Sequence, residues 1–350
     1  MEQAVTGMTM QEALAHLIAG GDLTRAQAED VMSRIMSGEA TPAQIAGVLT
    51  ALRIKGETVD EITGFATIMR EKSNRVRAAQ DGLLDTCGTG GSGIHKFNVS
   101  TSSAIIAAAA GVRVAKHGNR AMSGKAGSAD VLEALGVNIR LTPEQAAECL
   151  AETGICFMFA QLFHPSMKHA AGPRRELGVR TVFNMLGPLT NPAGADRQLL
   201  GLYDRTKTET IAEVLRRLGI KRALVVGSFD GLDEISISQD TQVSELMDGE
   251  IRTYVLTPEA LGLERRPLSE VVGGSPEENA AIARRIFAGE ERGAYRDIVL
   301  ANAGACIYLG GKAETLQAGV EAAAAVIDSG AAEAKLHELI RKTGEFADVS

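Results

Sequence analysis

Tryptophan is missing from this chain, and aromatic residues of any kind make up only 4% of its 350 residues. The core must therefore be filled mainly by alanine, leucine, valine and isoleucine, which suits helices packed closely on a sheet. Cysteine is scarce as well. Cys87, Cys149, Cys156 and Cys306 show no CxxC spacing and no matched histidines, which argues against a zinc site or a disulfide framework. They read as reduced, mostly buried thiols of a cytosolic protein. Basic residues are outnumbered, 36 Lys and Arg against 44 Asp and Glu, and the net charge of −8 speaks against general nucleic-acid binding. No apolar run reaches membrane-spanning length, and the N-terminus carries no signal-peptide pattern. The expectation is a cytoplasmic protein whose partners are neither nucleic acid nor membrane.

Glycine, by contrast, is concentrated where chemistry can use it. Asp85-Thr86-Cys87-Gly88-Thr89-Gly90-Gly91-Ser92-Gly93 leads through Lys96 to Asn98-Val99-Ser100-Thr101, and then into an alanine-rich helical run ending at Gly111. Such a loop lets backbone N–H groups approach a ligand, and the helix N-terminus behind it favours an anion, most naturally a phosphate or pyrophosphate. A tight strand-to-helix turn is the plain alternative for this loop taken alone. The loop has company, however. Lys116-His117-Gly118-Asn119-Arg120 follows a short β-like run, Val112–Ala115. A second small-residue loop, Ser123-Gly124-Lys125-Ala126-Gly127-Ser128-Ala129-Asp130, then opens onto a helical segment. Two glycine loops, two helix N-termini and the cations Lys116, Arg120 and Lys125 have the density of a polyphosphate cradle.

Punctuation along the chain divides it in two. Residues from about 9 to 73 read as short helices, with capping boxes at Thr24…Gln27, Thr41…Gln44 and Thr58…Glu61. From Gly82 onward, β-like runs alternate with helices. Leu224–Gly227 and Thr253–Leu256 are buried-strand candidates, while Thr142-Pro143 and Thr257-Pro258 open helices. This alternation predicts an α/β fold with a mostly parallel sheet, ligand loops at the carboxyl ends of its strands, and helices over both faces. Residues 275 to 345 read as helical and carry no polar cluster that suggests chemistry.

Two further segments carry polar candidates. Pro173-Arg174-Arg175 with Leu177-Gly178-Val179-Arg180-Thr181 could bind a carboxylate through a planar guanidinium, although spacing alone favours solvated helix arginines. Asp233-Glu234, in a loop after the strand at 224–227, suits Mg²⁺ held between carboxylates and substrate phosphates.

Together these segments, in this order and over about residues 10 to 340, resemble the anthranilate phosphoribosyltransferase family of tryptophan biosynthesis. The resemblance implies a small helical domain, 1–73 with a discontinuous part near 163–185, beside an α/β domain of nucleoside-phosphorylase type, 74–162 and 186–350. It also implies a homodimer joined through the helical domains. Phosphoribosyl pyrophosphate is expected on Gly88, Gly91, Asn98, Ser100, Thr101, Lys116 and Ser128. Ser92, Lys96, Val99, His117, Gly118, Asn119 and Arg120 are expected to line the same site. Anthranilate is expected against Gly88, Asn119 and Arg174, with His117 and Gly187 along its path, and Mg²⁺ on Ser100, Asp233 and Glu234.

The chain departs from the family pattern at two loop positions. Ser92 stands where Asp is common, and Lys96 where Thr or Ser is common, making the loop more cationic. Tighter or less Mg²⁺-dependent pyrophosphate binding is the expected result. A related phosphoribosyltransferase or pyrimidine nucleoside phosphorylase with another acceptor, and a non-enzymatic nucleic-acid-binding relative, are the other readings.

Overall fold

Threonines start the N-terminal helices. Thr9, Thr24, Thr41 and Thr58 each cap a helix with a reciprocal Glu or Gln three residues on, giving α1 (Met10–Ile18), α2 (Arg25–Ser37), α3 (Pro42–Lys55) and α4 (Val59–Glu71). In the computed structural model the described residues are 7–78, 81–90, 93–94, 96–121 and 125–347.

Strands and helices then alternate: β1 (Leu83–Gly88), α5 (Val99–Ala109), β2 (Arg113–Gly118), α6 (Ser128–Ala134), α7 (Pro143–Thr153) and β3 (Ile155–Phe159). The chain passes through α8 (Ala160–Phe163), α9 (Lys168–Leu177) and α10 (Phe183–Leu186) before re-entering the sheet at β4 (Arg197–Gly201). It continues through α11 (Thr208–Arg217), β5 (Arg222–Ser228), β6 (Thr241–Met247) and β7 (Glu250–Leu256). Four helices close it: α12 (Pro276–Phe287), α13 (Ala294–Leu309), α14 (Leu316–Asp328) and α15 (Ala331–Glu345). Among the described residues no helix is long and apolar enough to cross a membrane.

The seven strands lie in the order β3-β2-β1-β4-β5-β6-β7. The five from β3 to β5 are parallel, whereas β6 and β7 run antiparallel to their neighbours. Period-two alternation sends successive residues to opposite faces. Ala223 and Val225 of β5 join the core of α1–α4, α9 and α11, while Leu224 and Val226 join the core under α5 and α13. The small helical unit therefore shares one apolar core with a face of the sheet.

Three expectations change. Thr253–Leu256 belongs to an edge strand, with Val255 53% exposed, because β7 is the last strand of the sheet. Thr257-Pro258 opens only a 3-10 turn, Glu259–Leu261, which Gly262 ends in the left-handed region at φ 75°. Lys116 and His117 lie inside β2 itself, not after it.

Candidate active site

Between β1 and β4 the chain reverses its direction of travel across the sheet, having built β2 and β3 on one side before crossing to the other. Ligands of open α/β sheets bind outside the strand ends at such a point. Here the two strand ends are Gly88 and Gly201, paired across the sheet. The loop after β5 lies directly on them. A Cβ on Gly201 would stand 1.9 Å from the Asp233 carbonyl oxygen, and one on Gly88 would stand 2.3 Å from Asp233 Oδ2. Glycine is needed at both places because the acidic loop occupies the space a side chain would take.

That loop is built to hold its shape. Asp230 accepts from the hydroxyls of Ser228, Ser236 and Ser238 and from the Leu232 N–H. Asn302, fully buried on α13, accepts from the Ile235 N–H at 3.0 Å and donates to the Ile235 carbonyl at 2.9 Å. Asp233 and Glu234 are thus presented, both buried, at the strand ends. Gly90 donates its N–H to Asp233 Oδ2 at 2.8 Å. The Lys96 ammonium sits between the two acids, 2.8 Å from Asp233 Oδ1 and 2.6 Å from Glu234 Oε1. Burial disfavours every charge in this triad. Burial nevertheless loses at Asp233, where Lys96 and the Gly90 N–H hold the pKa below its ordinary value. At Glu234 burial wins over Lys96, and the pKa rises. Burial opposes the Lys96 charge too, but the paired carboxylates raise its pKa.

The glycine loop delivers Ser100 and Thr101 into the first turn of α5. Lys116, buried in β2, donates to the Thr86 carbonyl at 2.6 Å and to Ser100 Oγ at 3.3 Å, tying the two strands to that turn. Asn98 donates to the Ala126 carbonyl and accepts from Asn279, so the first glycine loop is fastened to the second. Ser128, at the start of α6, donates to the Asn119 carbonyl. Val99 is fully buried in the core, leaving only its backbone to serve a ligand.

Arg120 departs from the expected cradle. Its guanidinium is held by Asp130 at 2.7 Å and by Glu133 at 2.6 Å and lies over the Phe159 ring, so the side chain is committed to α6. Lys125 is exposed. Gly91, Ser92, His95, Ser123 and Gly124 lie outside the described residues.

On the other side of β2, His117 hydrogen-bonds the Gly187 backbone, which joins the two residues expected along the acceptor path. His164 packs beside it with ring centroids 5.0 Å apart, and the Nε2 atoms of both are buried without a partner. Burial lowers their pKa values, to about 3 for His117 and about 4 for His164, so both rings are neutral. Arg174 stacks on the Phe183 ring at 5.0 Å and has no ion-pair partner among the described residues, although burial lowers its pKa. An unpaired, partly buried guanidinium is suited to an incoming carboxylate. Asn119 keeps its side-chain oxygen on the Arg120 N–H.

Sequence reasoning missed Asp230, Asn302 and His164 as parts of this site. A serine-rich stretch around Asp230 was the only local signal, and Asn302 stands 67 residues from its partner.

Residues 80–333 match the glycosyl transferase family α/β domain, and residues 11–73 match the helical bundle domain of that family. The chain is 54% identical to an anthranilate phosphoribosyltransferase from Brevibacillus brevis, over 97% of this chain and 99% of the relative. The chain belongs to the anthranilate phosphoribosyltransferase family. It is accordingly an enzyme, a glycosyltransferase of the pentosyltransferase class. The crystal structure of anthranilate phosphoribosyltransferase from Thermus thermophilus superposes with a TM-score of 0.90 at 47% identity, covering 95% of this chain and 99% of that one. Anthranilate phosphoribosyltransferase from Saccharomyces cerevisiae, in complex with PRPP and Mg, is 27% identical with a TM-score of 0.89, covering 96% of this chain and 98% of that one. Across these phosphoribosyltransferases the helical unit and the mostly parallel sheet are shared.

Proposed function

We propose that the strand ends at Gly88 and Gly201 receive phosphoribosyl pyrophosphate and that Arg174 orients anthranilate against it. The observation that carries this reading is the convergence of a glycine loop, the first turn of α5, Lys116 and a buried acid pair at the switch point of the sheet. The donor's pyrophosphate is assigned to the backbone of Gly88 to Gly91, to Asn98, Ser100 and Thr101, and to Lys116 and Ser128.

The acid pair suits Mg²⁺. Asp233 Oδ1 and Glu234 Oε1 already converge on one cation, the Lys96 ammonium, and hard carboxylate oxygens are the ligands Mg²⁺ prefers. Asp233, Glu234 and the Ser100 hydroxyl would hold it, and when bound it would offset charge on the departing pyrophosphate.

The remaining chemistry lies in the placement of the chain's own groups. Lys116 and the loop N–H groups stabilise charge as the C1–O bond to pyrophosphate breaks. The amine lone pair of anthranilate then forms the new N–C1 bond, and the proton the amine loses passes to the released pyrophosphate. Arg174 fixes the carboxylate so that the amine faces C1. Neutral His117, buried beside Gly187, adds no charge along that path. No covalent enzyme intermediate is needed. Burial pushes the pKa of Cys87, the thiol adjoining the loop, well above its ordinary value, which disfavours the thiolate a nucleophile requires. The same reading takes 1–73 and 163–185 as the unit through which two copies pair, and places the enzyme in the cytoplasm.

Anthranilate fluorescence tests the proposal. Signal should fall only when phosphoribosyl pyrophosphate and Mg²⁺ are present, and should persist with Arg174→Ala and with the double change Asp233→Ala/Glu234→Ala. Undiminished fluorescence with donor bound would assign the site another acceptor.

A further inference from the structure

Lys96 does more than add charge to the loop. Its ammonium lies on one oxygen of each acid, Asp233 Oδ1 and Glu234 Oε1, while Asp233 Oδ2 is taken by the Gly90 N–H. The lysine is also firmly placed. Its backbone forms a β-bridge with Val272, and Gly273 lies so close that a Cβ there would stand 2.6 Å from the Lys96 carbonyl oxygen. Next along the chain, buried Phe97 stands edge-on to Tyr295 at 5.1 Å, and the Tyr295 hydroxyl donates to the Val272 carbonyl. The Cα of Lys96 is thereby anchored beside the acid pair, with only 15% of its side chain exposed.

An ammonium and a divalent cation cannot share the same two oxygens. Building on the donor and cation placement proposed above, we infer that Lys96 is a resident counter-cation that keeps divalent metal off Asp233 and Glu234 until the donor is bound. A divalent ion entering alone would have to turn a buried lysine away from both its partners. Once an anionic pyrophosphate lies in the adjoining glycine loop, the ammonium gains an alternative partner and the carboxylates become available. Lys96 thus couples metal entry to donor entry: the free enzyme balances its buried acids internally, and the exchange of one cation for another accompanies donor binding.

Mn²⁺ binding followed by electron paramagnetic resonance tests this without acceptor or turnover, so its outcome is separate from whether anthranilate is consumed. Donor-free wild-type protein should leave Mn²⁺ free, and Asp233→Asn should not change that. Lys96→Met should create a site that binds Mn²⁺ roughly tenfold more tightly or better, and Asp233→Asn should abolish it in that background. Wild-type protein that binds Mn²⁺ as tightly as Lys96→Met, through a site lost on Asp233→Asn, would overturn the inference. So would a Lys96→Met protein that folds and gains no site. Should Lys96→Met fail to fold, inorganic pyrophosphate supplies the second arm: it should bring one more Mn²⁺ to the wild type than to Asp233→Asn. Equal uptake by the two proteins would refute the exchange.

Discussion

Asp233 lies against Gly88 so closely that the carboxylate takes the place of the missing side chain, with Oδ2 only 2.3 Å from where a Cβ would stand. Gly88→Ala must therefore displace the acidic loop, and the neighbouring Gly90 N–H bond gives it no room to tilt. Displacement by a fraction of the loop's width is enough to spoil alignment. Turnover of phosphoribosyl pyrophosphate and anthranilate should fall on the order of 10²-fold in kcat/KM, with the circular dichroism of the sheet unchanged. Near-normal turnover would show that the loop can shift without loss.

Arg174 offers its planar guanidinium on the Phe183 ring, with no ion-pair partner among the described residues. Lysine has the charge but neither the fork nor the stacking plane. Arg174→Lys should raise the anthranilate KM roughly tenfold or more while leaving the KM of the donor within about twofold. Equal effects on both constants would place Arg174 outside the acceptor site.

Asn302 is the pin under the acidic loop. In Asn302→Leu the buried N–H and C=O of Ile235 lose their partners, and stability should drop by about 1–3 kcal/mol in urea denaturation. Because the same peptide follows Glu234 directly, kcat should fall as well, whereas a remote core substitution of equal cost would leave it alone.

The paired histidines set a pH limit. Both are neutral in the folded protein, with pKa values of about 3 for His117 and about 4 for His164, chiefly through burial. In the unfolded chain histidine titrates near ~6.5, so below that pH the unfolded state binds protons that the folded state refuses. Stability is then full above about pH 6.5 and is lost as pH falls toward about 4, at roughly 2 kcal/mol for each histidine by pH 5. His164→Gln should flatten part of this slope when denaturation midpoints at pH 7.5 and 5 are compared. An unaltered slope would mean that carboxylates alone govern acid unfolding.

Most of the fold was legible from local signals. Capping threonines, Pro at helix starts and runs of β-branched residues act within a few positions of themselves, and α2, α3, α4 and α7 begin where they point. The edge position of β7 was not legible, since Thr253–Leu256 reads the same whether one or both of its faces are covered. Nor was the short turn at 259–261, which depends on Gly262 and on the chain leaving for Pro267. In the candidate site, the glycine loops and the acid pair announce themselves by residue type. Arg120 misled because charge is visible in a sequence and its partner is not: Asp130 and Glu133 claim it. Asn302 and Asp230 were silent for the opposite reason, as ordinary polar residues whose importance comes entirely from where the fold puts them.

The salt bridge from Lys96 to Asp233 joins positions 137 apart in the chain. A growing polypeptide therefore cannot complete this centre until the strand after α11 and the loop behind it have emerged and docked. Until then the glycine loop has no acids to rest on, and the lysine has no counter-charge. Loop closure over such a span is slow compared with local helix formation. The centre should assemble late, after the four capped N-terminal helices have formed, so that competence to bind the donor doubles as a report that the five parallel strands have come together.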